Sequence, residues 1–258
     1  MHHCCGGDGT LHEVINGVGN NNISVAFIPG GSGNDFARGV QIKGNEKRMF
    51  EHIIQYGVTI PYWCGTYAAE ETGSRQFVNS IGFGFDAEIA KYANTSKHKN
   101  WLRFFRLDSF RYVFALIHIL FHFKPFNATL TLDGRRQDIQ SCWMVTVANH
   151  PYYGGGMKII PHAKIEPEIF PVLVIHGISK WKILALFVTV FTGKHLSFKE
   201  VDCHMASKVE FHSESKVQYQ VDGQTDSCMY GVVEKNSDAT HIVGDFDGHM
   251  LEKSSYFR

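Results

Sequence analysis

Leu11, Val14, Ile15 and Val18 fall at i, i+3, i+4 and i+7, which predicts one face of an amphipathic helix ended by Gly17 and Gly19. Residues 23–28 form a β-branched and apolar run of the buried-strand type, stopped by Pro29 and the glycines after it. A short helix reaching Arg38 is predicted next, with Ser32, Asn34 or Asp35 as its cap. This spacing gives βα units of an α/β layer. Further along, the pattern predicts helices over 109–123 and 179–192 and strands over 76–81, 128–132, 141–148, 172–175, 208–212, 217–221 and 239–243. Many short strands separated by turn signals indicate an antiparallel sheet or sandwich.

Two glycine clusters occupy the predicted strand-to-helix junctions: Gly6-Gly7-Asp8-Gly9-Thr10, and Gly30-Gly31-Ser32-Gly33-Asn34-Asp35. A glycine turn entering a helix presents free backbone N–H groups beside the positive end of the helix dipole, and glycine lets the chain approach an anion closely. Phosphate is the natural guest. An acidic Asp8 suits phosphate best through a magnesium ion, which takes a carboxylate, waters and substrate phosphates. A single cluster of this kind fits a plain tight turn equally well, whereas two at matching junctions favour phosphate. Neither cluster matches a Walker A loop or G-x-G-x-x-G.

Composition narrows the classes. The 258 residues carry 25 Lys plus Arg against 25 Asp plus Glu, so no global field favours nucleic acid. Six scattered cysteines follow no disulfide framework and no leader pattern is visible, which predicts reduced thiols and a cytoplasmic location. None of the fifteen histidines stands at zinc spacing. The most apolar run, 112–123, covers roughly 18 Å at about 1.5 Å per residue, short of a ~30 Å hydrocarbon core. The wide apolar face predicted over 179–192 is expected to pack against a core or a partner. Its Trp181 and phenylalanines beside Lys180, Lys182 and Lys194 also suit docking at a membrane interface.

With these loops the chain resembles the diacylglycerol kinase catalytic family of bacterial lipid kinases, which is related to sphingosine kinases and more distantly to NAD kinases. The resemblance is carried by Gly6 to Thr10, by Gly31-Ser32-Gly33-Asn34-Asp35-Phe36-Ala37-Arg38, and by Asn79-Ser80-Ile81-Gly82-Phe83-Gly84-Phe85-Asp86-Ala87. It continues through Gly154-Gly155-Gly156-Met157 with Pro161 and Ala163, and ends at Val221-Asp222-Gly223. It implies transfer of the ATP γ-phosphate to the hydroxyl of diacylglycerol or a similar lipid. Gly6, Gly7, Asp8, Gly9, Thr10, Leu11 and His12 then match the nucleotide loop. Ser32 contacts ATP, alongside Gly33, Asn34 and Asp35, and Asp222 is the general base. ATP and Mg2+ are the implied cofactors and no metal-ligating residue is assigned. The implied partner is a lipid at a membrane surface, met peripherally, and a homodimer stays open. The architecture implied is an α/β nucleotide domain over 1–61, a β-rich, sandwich-like substrate domain over 62–236, and a segment over 237–258 returning to the first domain, with the site in the cleft.

The chain departs from the family pattern in three places. Family members carry about half a domain before the first glycine block, and here Met1-His2-His3-Cys4-Cys5 precede Gly6, so the nucleotide domain is read as lacking its N-terminal part. Glu166-Pro167-Glu168 stands where the family often places an Asp-Gly pair on a structural magnesium. Gln224 replaces the usual Glu after Asp222-Gly223, which keeps hydrogen bonding and loses a charge. Asp-Gly is also a strong hairpin signal, repeated at Asp133-Gly134 and Asp247-Gly248. Two alternatives remain: a catalytically impaired remnant that binds lipid or nucleotide, and an NAD kinase, against which the run at residues 33–38 stands.

Overall fold

The computed structural model describes residues 2–19, 23–31, 33–42, 46–55, 57–70, 73–95, 116–244 and 246. The N-terminal layer is a four-stranded sheet of β1 (His2–Gly6), β2 (Val25–Pro29), β3 (Val58–Tyr62) and β15 (Thr240–Gly244), in the order β1-β2-β15-β3. Strand β2 pairs in parallel with both β1 and β15, and β15 runs antiparallel to β3. The unbroken apolar run of β2 is explained by burial on both faces. Val25 and Phe27 join a core with Leu11 and Ile15 of α1 (Asp8–Val18) and Phe36 of α2 (Asp35–Gly39). Ala26 and Ile28 meet Ile53 of α3 (Glu46–Gln55) on the other side.

The second unit is a nine-stranded antiparallel sheet that curls into a sandwich-like form. Its spines are two long strands, β8 (Arg135–Ala148) and β13 (Lys208–Val221). Two short strands lie end to end between them: β7 (Phe126–Leu132) pairs one half of each spine, and β6 (Ser80–Gly84) the other. Strands β11 (Phe170–His176) and β12 (Val201–Ala206) extend the β8 side. Strands β14 (Gln224–Lys235), β4 (Gly65–Ala69) and β5 (Arg75–Phe77) extend the β13 side. A separate small hairpin, β9 (Tyr152–Tyr153) with β10 (Met157–Lys158), carries Gly154 to Gly156 at its turn. The second half of β8 is buried on both faces. Cys142, Val145 and Val147 enter the sandwich core, and Trp143, Met144 and Ala148 enter an outer core with Ile183 and Leu186 of α5 (Lys180–Thr189). Helix α4 (Phe85–Thr95) follows β6 directly.

Several expectations change in detail. The strands expected over 208–212 and 217–221 are one strand, because the polar Ser213-Glu214-Ser215-Lys216 interrupts the apolar pattern without ending β13 and only shifts its register between His212 and Val217. The strand expected over 76–81 is two, β5 and β6, split at Val78 and Asn79. Of the helix expected over 109–123, residues 116–122 are helical and 109–115 lie outside the described residues. Strands β3, β4, β12 and β14 carry mixed patterns that no alternation singled out. Asp222 and Gly223 form the β13–β14 turn with φ of 48° and 90°, so the hairpin is real and the candidate base sits in it. Asp247-Gly248 lies outside the described residues.

Candidate active site

The parallel register of β1 and β2 ends at Gly6 opposite Pro29, and the Gly30 N–H donates to the Gly6 carbonyl at 2.8 Å. Both glycine loops therefore leave neighbouring strands side by side at the carboxyl edge of the sheet, the usual ligand edge of such layers. They also touch. A Cβ on Gly31 would lie 2.5 Å from Gly7 Cα, and one on Gly7 would lie 3.2 Å from Gly31 Cα.

Asp8 locks the pair. Its Oδ1 accepts the Phe36 N–H at 2.9 Å and its Oδ2 the Asp35 N–H at 3.1 Å, so the first loop caps the helix of the second. The sequence pattern places that cap at Ser32, Asn34 or Asp35. Asn34 instead adopts the left-handed conformation (φ 51°), and its side chain turns back to accept the Gly31 N–H at 3.0 Å and donate to the Gly31 carbonyl at 2.7 Å. Ser32 lies outside the described residues. Gly33 faces Asp8, and Thr10 packs against Gly6. Leu11 is buried in the core and His12 is enclosed.

His12 and Asp222 are brought together from 210 residues apart, with Nδ1 to Oδ2 at 2.9 Å and both side chains 0% exposed. Asp222 also accepts the N–H of Val78 at 2.8 Å, of Asn79 at 2.7 Å and of Ser80 at 3.2 Å. Four donors thus fill the roughly four lone-pair sites of one carboxylate. Asn16, one turn on from His12, donates to the His12 and Gln76 carbonyls at 2.9 Å each and holds α1 to β5.

The segment that supplies those three amides is itself held. Tyr62 Oη and Asn149 Nδ2 both donate to the Val78 carbonyl at 2.7 Å, and Lys235 Nζ donates to Asn149 Oδ1 at 2.6 Å. Burial brings the Lys235 ammonium down to about 7, and the Phe170 ring lies 4.6 Å from it. His150 Nε2 is 2.8 Å from Asn79 Oδ1 while its Nδ1 accepts the Tyr152 N–H at 3.3 Å. That network assigns a neutral ring protonated at Nε2. It agrees with burial pulling His150 down to about 4.

The two units also meet through α2. Asp35 Oδ2 accepts the Gly155 N–H at 2.7 Å, and its Oδ1 accepts from Arg38 at 3.1 Å. Arg38 donates to the Gly33 carbonyl as well. Burial raises the Asp35 carboxyl. Gly39 leaves no room for a Cβ against the His150 ring, 2.4 Å away. Sequence reasoning missed His150, Asn149 and Lys235. For Asn149 and His150 the signal available was two polar residues directly after the strongly apolar end of β8, where a buried polar group needs a partner; the mixed pattern of β14 gave none for Lys235.

Asp86 sits at the start of α4, fully buried, and accepts from Tyr153 Oη at 3.2 Å and Gln220 Nε2 at 3.5 Å through Oδ2. Desolvation lifts it to about 6, and its Oδ1 has no hydrogen-bond partner among the described residues.

Among the described residues, no group of three or more His, Cys, Asp or Glu side chains converges as a metal cage. Each Asp8 oxygen keeps a lone pair beyond its amide, so the loops fit a magnesium ion that arrives with nucleotide phosphates, one carboxylate and waters completing its shell.

This fold and these motifs define a class. Residues 3–60 match the diacylglycerol kinase catalytic domain, and residues 79–242 match the YegS C-terminal NAD kinase beta sandwich-like domain. The chain belongs to this diacylglycerol kinase family. It is 31% identical over 222 residues to the "Putative lipid kinase YtlR" of Bacillus subtilis, covering 85% of this chain and 72% of that protein. It is 26% identical to a diacylglycerol kinase of Mycobacterium tuberculosis, covering 79% of this chain and 64% of that one. Its fold matches a diacylglycerol kinase from Bacillus anthracis with a TM-score of 0.66 at 19% identity, over 96% of this chain and 76% of that chain. An NAD kinase from Archaeoglobus fulgidus shares the fold at a TM-score of 0.50 and 12% identity, over 97% and 79% of the two chains.

Proposed function

We propose that this protein is an ATP-dependent lipid kinase that transfers the γ-phosphate to the hydroxyl of diacylglycerol or a similar lipid. The observation that carries this reading is the contact of the two glycine loops, with Asp8 joining them, beside the enclosed His12–Asp222 pair. Gly6, Gly7, Gly9 and Thr10, with Gly33, Asn34 and Asp35, form the edge that takes the nucleotide phosphates. Asp8 supplies the carboxylate for the Mg2+ that accompanies them. The metal, when bound, offsets the charge building on the phosphoryl oxygens. The glycine backbones accept close approach, and the N-terminus of α1 lies at the same edge, whereas the first two amides of α2 are already taken by Asp8.

Asp222 takes the hydroxyl proton in this reading, as the family pattern implies. One of its four donors must then yield, because a carboxylate with every site occupied has no lone pair to offer. That same enclosure favours a second role for Asp222, as a positioning residue that holds His12 and the 78–80 amides. The two roles separate in the pH profile of turnover: losing a base removes the acid limb, and losing a positioning residue lowers the plateau without moving it.

The test offers γ-labelled ATP with Mg2+ and, in parallel, dispersed diacylglycerol and NAD as acceptors. Label in the lipid supports the proposal. Label only in NAD assigns the chain to the other branch of the fold. Nucleotide binding with no transfer to either acceptor identifies a remnant that binds and does not react.

A further inference from the structure

Helix α5 has two apolar faces. Ile183, Leu186 and Val190 are buried in the outer core, which accounts for one of them. The opposite side carries Trp181, Leu184 and Val188, spaced i, i+3 and i+7, and Phe191 follows in the turn after the helix; Trp181 is 73%, Val188 70% and Phe191 54% exposed. An ordinary surface helix turns polar residues outward here. The patch continues onto the neighbouring helical stretch at 116–122, where Phe121 and Ile117 are exposed. The Phe121 and Trp181 rings lie 6.3 Å apart, and Lys180 Nζ donates to the Phe121 carbonyl at 2.6 Å.

Charge decides what covers this surface. The whole chain is neutral, yet residues 177–199 contain no Asp or Glu and four lysines, Lys180, Lys182, Lys194 and Lys199. Residues 116–127 likewise contain no acid and add Lys124. The carboxylate that follows the first run, Glu200, is already paired with Lys182 at 2.6 Å. Large apolar side chains rimmed by ammonium groups match a bilayer interface with anionic headgroups, where the rings enter the acyl boundary and the lysines stay at phosphate level.

We propose that the outer face of α5, with Phe121 and Ile117, is a docking surface for anionic phospholipid membranes. It rests on the lipid kinase reading and deepens it by naming how the enzyme meets its substrate, but the contact itself is measured without any phosphate transfer.

The experiment sediments the full chain with vesicles of phosphatidylglycerol and phosphatidylcholine, and with phosphatidylcholine alone. Wild type partitions to the anionic vesicles, and added salt weakens the partitioning. The variant Trp181→Glu/Val188→Glu loses about tenfold or more in partitioning, since it puts charge into the apolar boundary. Both positions point to solvent, so its circular dichroism and Tm stay those of wild type. Lys180→Gln/Lys194→Gln keeps the apolar face and loses the preference for anionic lipid. Equal partitioning of wild type and the Glu variant overturns the proposal. So does a lipid-free wild-type dimer that the Glu variant splits, which makes the face a contact between copies.

A kinase assay separates this proposal from the catalytic one. With a dispersed short-chain diacylglycerol the Glu variant turns over like wild type, and with vesicle-embedded diacylglycerol it does not. Vesicle binding by wild type without turnover on either substrate sinks the kinase reading and supports the docking face.

Discussion

The Nδ1–H of His12 donates to Asp222 Oδ2 across 2.9 Å, joining the first glycine loop's helix to the β13–β14 turn. The bond ties the two units of the fold together: one residue lies on the helix after the first glycine loop and the other at a turn of the nine-stranded sheet. Removing the ring leaves a buried carboxylate oxygen with one donor fewer. His12→Ala is expected to cost about 1–3 kcal/mol, the usual penalty for an unsatisfied buried polar group. Urea unfolding measures it, and a loss below about 0.5 kcal/mol, the low end for a hydrogen bond, would show the pair to be incidental.

Gly9 and Gly31 separate fold from ligand. Gly9 lies in the first turn of α1 with nothing within 4 Å of where a Cβ would stand, so Gly9→Ala is expected to leave stability unchanged or raise it by about 0.5–1 kcal/mol. Its ATP affinity is nevertheless expected to fall, because in the proposed site the added methyl group stands in the path of the phosphates. Gly31→Ala forces backbone against backbone at Gly7 and should lower Tm as well as affinity. Thermal melts with and without ATP check both, and an unchanged ATP affinity in Gly9→Ala removes that residue from the phosphate edge.

Asp8 caps α2 through two amides, so Asp8→Ala should cost roughly 1–2 kcal/mol before any effect on nucleotide. Asp8→Asn keeps one acceptor oxygen and should recover part of that stability while remaining poor in Mg2+-dependent ATP binding. Equal binding by the Asn variant in Mg2+ and in EDTA, with wild type binding better in Mg2+, supports the metal role; wild type indifferent to EDTA would leave Asp8 as a cap alone.

Two buried groups pull the pH dependence in opposite directions. Asp86 is raised to about 6, so its contribution is fully present below the ordinary 3.8 and is lost as pH rises through 6. His150 is lowered to about 4, so its contribution is present above the ordinary 6.5 and is lost as pH falls through 4. Asp86→Asn removes the first effect. It is expected to be more stable than wild type near pH 8, by at most about 3 kcal/mol for a carboxyl lifted from 3.8 to about 6, with the gain vanishing near pH 4. Urea unfolding at the two pH values decides the sign.

Much of this arrangement was legible in the chain. Gly6 to Thr10 and Gly30 to Asp35 marked two strand-to-helix junctions, and the apolar period of Leu11, Val14, Ile15 and Val18 placed α1. What could not be read was which partner each polar residue would meet. That Asp8 also caps α2 was not legible, because only the parallel register of β1 and β2 brings it to those amides. That His12 pairs with Asp222 was not legible, because the two are 210 residues apart. Its position one residue after Leu11, on the buried side of α1, was the signal that it needs a buried partner. For the helix over 179–192 the pattern left packing and membrane docking both open, and the burial of Ile183, Leu186 and Val190 shows which side packs and which is left over.

The most direct measurement is transfer of label from γ-labelled ATP to diacylglycerol by wild type and by Asp222→Asn, each confirmed folded by its Tm. Wild type is expected to label the lipid, and the Asn variant to do so at least about 100-fold more slowly, in line with the loss of a proton acceptor or of its positioning. Equal rates in the two proteins would show that Asp222 neither takes the proton nor holds the groups that do.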